Sequence, residues 1–209
     1  MRKRFGMQRL FGFAAAVAIA LVGTPGQAQL FNSPVDKLPV AERVTLRSGK
    51  PLVTGEKGQY VARVLVPTSP EVVWSVLTDY NDFPKFLPNV VFSKVLQADG
   101  SHKVVEQVDE RNVLLFKVRS RVRSKITEVT NQRIDFRRIE GDLPTLDGYW
   151  KIEPVAPYSG AKADQVLITQ VVSVRPKSSF GESTFYNVFK DALADNLSAI
   201  SREASRRAQ

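Results

Sequence analysis

Thr68-Ser-Pro-Glu-Val-Val-Trp-Ser-Val-Leu-Thr-Asp-Tyr-Asn-Asp-Phe-Pro-Lys-Phe-Leu-Pro-Asn-Val90 is the stretch that decides the architecture. A run of strand formers, Tyr60 to Val66, precedes it and stops at Pro67. Thr68 or Ser69 is placed to accept from the first free N–H groups of a helix. Pro70 suits the first turn, and Glu71 sits where the helix dipole favours an anion. Val72, Val73, Trp74, Val76, Leu77 and Tyr80 share one broad helical arc, with Glu71, Ser75, Thr78 and Asp79 opposite. Pro84 and Pro88 interrupt the chain beyond this arc, so Asn81 to Leu87 is at most a second short helix.

Outward from this pair the pattern turns to strands. Val90 to Gln97 and His102 to Asp109 form a hairpin about the turn Ala98-Asp-Gly-Ser101, and Arg111-Asn112 reads as another tight turn. From Val113 to Val129 the alternation is clear. Phe116, Val118, Ser120, Val122, Ser124 and Ile126 share one face, and Lys117, Arg119, Arg121, Arg123 and Lys125 share the other. Period two over this length means a half-buried strand. Arg133 to Glu140 repeats the theme with Ile134 and Phe136 inward. Leu146, Gly148, Trp150 and Ile152 alternate along the next strand, and Val166 to Val174 forms the last, stopped by Pro176. A terminal helix from Thr184 to about Arg207 spans roughly 35 Å. Its apolar stripe is Phe185, Val188, Phe189, Ala192, Leu193, Leu197 and Ile200.

Short turns pair these strands as an antiparallel meander, and one amphipathic helix is the natural cover for its apolar face. The expected class is α+β: a curved antiparallel sheet wrapped round a long C-terminal helix, with a short helical pair after the first strand. Between a concave sheet and a helix such layers leave a gap, a common ligand site.

Val76-Leu-Thr-Asp-Tyr-Asn-Asp-Phe-Pro-Lys-Phe-Leu-Pro88 and Gly148-Tyr-Trp-Lys-Ile-Glu-Pro154 resemble the polyketide cyclase/dehydrase and coenzyme Q-binding START-like families of the helix-grip superfamily. The resemblance spans about residues 60–207. It implies a helix-grip fold with a hydrophobic cavity between sheet and terminal helix, and leaves activity open, because members include carriers and cyclases.

The N-terminus carries a different message. Arg2, Lys3, Arg4 and Arg9 precede an apolar run from Phe11 to Val22 and then Thr24-Pro-Gly-Gln-Ala28, the pattern of a secretory signal peptide cleaved after Ala28. The expected division is residues 1–28 as signal peptide, 29–59 as an N-terminal extension, and 60–209 as the START-like helix-grip domain. In the extension, 29–36 reads as a loose tether and 44–53 as an extra strand. The expected destination is the periplasm or an equivalent extracytoplasmic lumen, with an uncleaved anchor as the alternative. Export departs from the familiar intracellular members and so detaches the chain from their partners. Without the four basic residues of the head, the net charge falls from +9 to +5. The chain has no cysteine, so thiol nucleophiles, thiolate ligands and disulfides are excluded.

Chemistry-bearing motifs are few. The single histidine, His102, adjoins a turn and reads as solvent-exposed. Nothing stands at metal-ligand spacing, no phosphate loop or nucleophile elbow is present, and no cofactor is expected. Asp79 and Asp82 read as an outward helix residue and a cap. The basic stripe Lys117, Arg119, Arg121, Arg123 and Lys125 offers either a weak contact with an anionic membrane surface or a solvated face paired with Glu106, Glu128 or Asp135. Nucleic acid is not an expected partner.

Polar residues on apolar faces say more. Asn196 interrupts the helix stripe, Ser120 and Ser124 interrupt their strand, and Gln170 interrupts the last strand. Together with Trp74, Phe83, Phe86, Phe116, Val118, Phe136, Trp150, Phe185 and Phe189, the residues Ser120, Gln170 and Asn196 make the expected ligand-binding set, an oily wall with a few orienting groups. Three functions fit. One is an exported carrier of a lipid, isoprenoid, quinone or polyketide-like molecule, and another is a cyclase/dehydratase-type enzyme. The third is a protein-interaction module with a closed core. Tyr149, Arg138 and Asp147 are acid/base candidates, but no spacing singles them out, and no catalytic residue is assigned.

Overall fold

Period-two alternation and the proline-bounded helical pair recur in the computed structural model, which describes residues 33–113, 116–178 and 181–209. The segment read as an export signal lies outside the described residues. In chain order come α1 (Val40–Arg47), β1 (Leu52–Glu56), β2 (Gln59–Val66), α2 (Pro70–Leu77), a 3-10 turn (Tyr80–Asp82) and α3 (Phe83–Phe86). After these come β3 (Val90–Asp99), β4 (His102–Val113), β5 (Phe116–Val129), β6 (Arg133–Gly141), β7 (Thr145–Val155), β8 (Gln165–Arg175) and α4 (Glu182–Arg207). The strands form one sheet in the order β1-β2-β8-β7-β6-β5-β4-β3, antiparallel throughout. Two register shifts bulge β3 against β4, between Val90 and Phe92 and between Val95 and Gln97. No described helix is long and apolar enough to cross a membrane.

The main core lies where α4 meets β2 and α2, with β8 beside β2 contributing from the sheet. Leu193, Leu197, Ile200 and Ala204 pack with Val64, Val66, Val73, Leu77, Ile168 and Val172. A smaller core on the opposite face joins Val35 and Leu46 to Leu65, Val155 and Leu167. β2 and β8 are thus covered on both faces, which is why they read as near-continuous apolar runs.

That second core corrects the reading of the extension. Residues 40–47 form a helix, and the extra strand begins only at Leu52. Leu46 must reach the outer face of β2 and β8, and a helix held by the Arg63–Glu42 ion pair (3.2 Å) delivers it there. The tether is likewise fastened from Ser33 on. Ser33 Oγ donates to Asp36 Oδ2 at 2.7 Å, and Val35 is fully buried. Arg111-Asn112 makes no turn, because β4 runs through both to Val113. At α2, Ser69 is the N-cap but its side chain makes no capping bond. Asp82 pairs with Lys85 at 2.8 Å instead of capping α3.

The C-terminal end of α4 is held by one guanidinium. Arg207 donates to Asp79 Oδ2 (2.7 Å), to the Ser75 carbonyl (3.0 Å) and to Glu203 Oε1 (2.8 Å), and lies 5.8 Å from the centre of the Phe86 ring. Hydrogen bonds from Arg206 and then Arg207 hold the Glu203 carboxyl at about 2, against burial, which works the other way. A depressed carboxylate stabilises the fold above the unfolded value of 4.5, and that contribution is lost as pH falls toward 2. Glu203→Gln is therefore expected to lower stability at pH 7, by less than the full shift implies because solvent screens the exposed Arg206, and urea titrations should show the difference from wild type shrinking between pH 4.5 and 2.

Candidate functional site

α4 packs most closely on β2, α2 and β1, and the sheet from β7 to β4 curves away from it. The space left is a cavity of about 820 Å³. Its closed end is apolar and buried: Leu77, Tyr80, Leu87, Val105, Ile126, Ile134 and Ile200. Its exposed lining residues, Val118, Arg119, Asp142, Lys177, Gly181 and Thr184, gather where β5 begins, β6 turns into β7 and β8 passes into α4. The mouth is there.

Stacked rings hold the roof. Phe189 lies 6.0 Å from Tyr60 and 5.9 Å from Phe185 between ring centres, and Tyr60 Oη donates to the Tyr186 carbonyl at 3.3 Å. On the sheet side Gly148 admits Phe136. A Cβ at 148 would lie 2.8 Å from the Phe136 ring and 2.0 Å from the Val171 carbonyl. At the closed end Tyr80 Oη donates to Glu128 Oε1 at 2.7 Å, and Lys103 pairs with the other carboxylate oxygen. Burial, reinforced by Glu128, pushes the Tyr80 phenol well above its usual range and keeps it a donor.

The wall has a polar face. Gln107, Asp109 and Arg111 project from β4 at alternate positions, beyond Val105. Gln107 Nε2 donates to Asp109 Oδ2 at 3.0 Å, and Arg111 Nη1 reaches across to the Val188 carbonyl of α4 at 3.2 Å. Burial raises the Asp109 carboxyl above its ordinary value, outweighing the Arg111 charge and the Gln107 bond. Burial also lowers Arg111, opposed by Asp109 and Asp195. Ser120 stands opposite Asp109 in the β4–β5 register. Three cavity-lining atoms, Ser120 Oγ, Gln170 Oε1 and Asn196 Oδ1, are buried and have no hydrogen-bond partner.

Of the residues expected to bind ligand, Phe83, Val118, Ser120, Phe136, Trp150, Gln170, Phe185, Phe189 and Asn196 are brought together around this cavity. Trp74 and Phe86 are not; both pack against the core from the helical pair, and Phe86 turns its ring toward Arg207. Phe116 opens β5, but its side chain lies outside the described residues. Ser124 lines the cavity as well. The sequence reading missed Gln107, Asp109 and Arg111. The hairpin register, which sets Asp109 beside Ser120 and Gln107 beside Val122, was the signal that would have found them.

The acid/base candidates stay off the lining. Arg133 stacks on the Tyr149 ring at 3.7 Å, and Asp147 Oδ1 accepts the Arg138 backbone N–H at 3.1 Å. His102 is exposed beside Ser101. Among the described residues no cluster of three His, Cys, Asp or Glu side chains is placed to hold a metal ion. On the outer face Lys117 and Arg119 pair with Glu110 (3.0 and 3.4 Å), while Arg121 and Arg123 each pair with Glu106 and Glu140 (2.5–2.8 Å). The partners expected from sequence, Glu128 and Asp135, are engaged instead by Lys103 and Arg133.

A bent antiparallel sheet gripping its own terminal helix over an apolar hollow defines a hydrophobic-ligand-binding fold of the helix-grip class. The family model for polyketide cyclase/dehydrase and lipid transport proteins matches residues 66–201, and the chain belongs to that family. It is 26% identical over 140 residues to the persistence and stress-resistance toxin PasT of Escherichia coli O6:H1, covering 67% of this chain and 82% of that one. Among solved structures it resembles the Zhui aromatase/cyclase of Streptomyces sp. R1128, with TM-score 0.57, 18% identity, and 72% and 95% of the two chains covered. It also resembles a STAR-related lipid transfer protein of Xanthomonas axonopodis, with TM-score 0.56, 17% identity, and 74% and 92% covered. At such identities the likeness is one of fold.

A carboxyl raised by burial favours the folded state below its unfolded value and loses that advantage as pH rises. Asp109→Asn is therefore expected to raise the melting temperature at pH 7 and to leave it unchanged near pH 3. An equal effect at both values would mean that the carboxylate is not strained by its burial.

Proposed function

We propose that the protein is an exported carrier that holds a hydrophobic small molecule, a lipid, isoprenoid, quinone or polyketide-like compound, between the sheet and α4. The observation that carries this reading is the cavity itself: apolar and aromatic on most of its surface, with a few polar atoms left without partners. A volume of about 820 Å³ suits a small-molecule ligand. The basic head and apolar run of residues 1–22 support export. A closed-core interaction module is disfavoured, since so large a void has no place in a packed interior.

One observation favours a second reading, a cyclase/dehydratase-type enzyme. Asp109, part-buried on the cavity wall beside Gln107 and Arg111 and with its carboxyl raised by desolvation, is the kind of carboxyl that exchanges protons with a bound substrate. A carrier needs no turnover, so the two readings separate on whether the bound molecule leaves unchanged. The outer cations support a paired, solvated face more than a membrane contact, since four of the five meet carboxylates.

Native mass spectrometry of the full chain, expressed with its leader and purified without detergent, is expected to show a mature N-terminus at Gln29 and a co-purifying apolar molecule. An empty protein that also fails to take up added lipid or quinone would sink the carrier reading. Exchanging Lys117, Arg119 and Arg121 together for Gln should leave binding to phosphatidylglycerol vesicles unchanged, whereas lost binding would restore the membrane contact.

A further inference from the structure

Arg111 is a donor on the cavity wall with most of its capacity unspent. A guanidinium can only donate, and among the described residues its one hydrogen bond runs from Nη1 to the Val188 carbonyl at 3.2 Å. The occluded atoms of the wall that lack partners are oxygens, those of Ser120, Gln170 and Asn196, and no nitrogen of Arg111 is shut away with them. Its remaining N–H groups therefore stay within a guest's reach. The amides point the same way: with their oxygens closed off, what Gln170 and Asn196 can offer a guest is N–H.

The strand register places Arg111 just inside the mouth. It pairs with Val118, one of the exposed rim residues, whereas Val105 at the far end of the same row is buried at the closed end. At about 3.4 Å per residue the row from Val105 to Arg111 is roughly 20 Å long. A guest that touches Arg111 with one end has room to lay an extended body against Leu77, Val105, Ile126 and Ile134.

The charge of Arg111 is met although its hydrogen bonds are not. Asp109 on β4 and Asp195 on α4 both act on it electrostatically, and neither accepts a hydrogen bond from it. The rim beyond is balanced as well, since Arg119 pairs with Glu110 at 3.4 Å and Asp142 shares the lining with Lys177. A carboxylate head would add a further negative charge beside Asp109 and Asp195. A neutral oxygen acceptor takes up the free N–H groups without that repulsion, and hydrogen bonds from a charged donor are the stronger kind.

Resting on the carrier reading above, we infer that Arg111 receives an uncharged carbonyl oxygen at one end of a long apolar guest, which enters tail first and leaves its polar end at the mouth. Sites built to hydrogen-bond a polar group reject the analogue that lacks it far more strongly than apolar pockets reject a missing methylene.

A matched series tests this: 4-nonylacetophenone, 4-nonyl-α-methylstyrene and 4-nonylbenzoate share one tail, and their heads differ in carrying C=O, the isosteric C=CH2 or a carboxylate. Each is titrated against the full chain loaded with the dye N-phenyl-1-naphthylamine at pH 7, and displacement is read as loss of dye fluorescence. The ketone is expected to bind about 10-fold tighter than the styrene, and the benzoate more weakly than the ketone. Arg111→Met should bring the ketone down to the styrene's affinity and leave the styrene unchanged, while Arg111→Lys, which keeps a charged donor, should retain part of the preference. Equal binding of ketone and styrene in the wild-type protein, tightest binding of the benzoate, or a ketone preference that survives Arg111→Met overturns the carbonyl site and leaves the carrier reading standing. Failure of the dye and of all three compounds to bind overturns both.

Discussion

A straight helix and a strongly bent sheet can touch along only one line. α4 has 26 residues, about 39 Å of rod, and each strand of a sheet is turned by roughly 20–25° relative to its neighbour. The line of contact falls on β2 and β1, extended by α2, and there the core is dense. Beyond it the strands leave the helix behind. Two fastenings hold the rod in place without filling the hollow: the Arg207 cluster near one end, and the Tyr60, Phe189 and Phe185 rings toward the other. The largest share of the stabilisation comes from side chains such as Leu197, fully buried on the contact line and worth about 2–5 kcal/mol against alanine. The ion pairs chiefly set where the helix ends.

The half of the sheet that walls the hollow has little beneath it, and its outer face is built accordingly. Glu106 and Glu140 each accept from both Arg121 and Arg123, tying β4, β5 and β6 together from outside. Hydrogen bonds from these arginines hold both carboxyls below their ordinary values. A single exposed pair contributes little against solvent screening, so no one bridge matters much, but the shared carboxylates make a lattice of four. Charge on the outside and open space on the inside are two aspects of the same strands.

Sequence alone carried far where one face contrasted with the other. β5 alternates serine and aliphatic residues with five cations, so its direction and its cavity face were legible, Ser120 included. Asn196 and Gln170 stood out because each breaks an apolar row. β4 has no such contrast. Val104, Glu106, Val108 and Glu110 on one face mirror Val105, Gln107, Asp109 and Arg111 on the other, and only pairing with β5 decides which set looks inward. α1 was illegible for a tertiary reason, since Leu46 finds Val35, Leu65 and Leu167, none of them near it on a helical face. Trp74 and Phe86 were assigned to the wall on ring chemistry, but the docking of α4 through Arg207 sets which way the helical pair faces.

The bulges of β3 have a bearing on solubility. An open sheet ends in a row of unsatisfied amides and carbonyls, a template onto which a second molecule can zip. β3 is such a border, and it shows Val91, Phe92 and Leu96 to solvent at 46%, 41% and 40% exposure. Irregularities at two points along its ten residues break the spacing that a stranger's backbone would have to match. A kinked hem of this kind lets a greasy border stay solitary at concentrations where a smooth one would stack into ribbons.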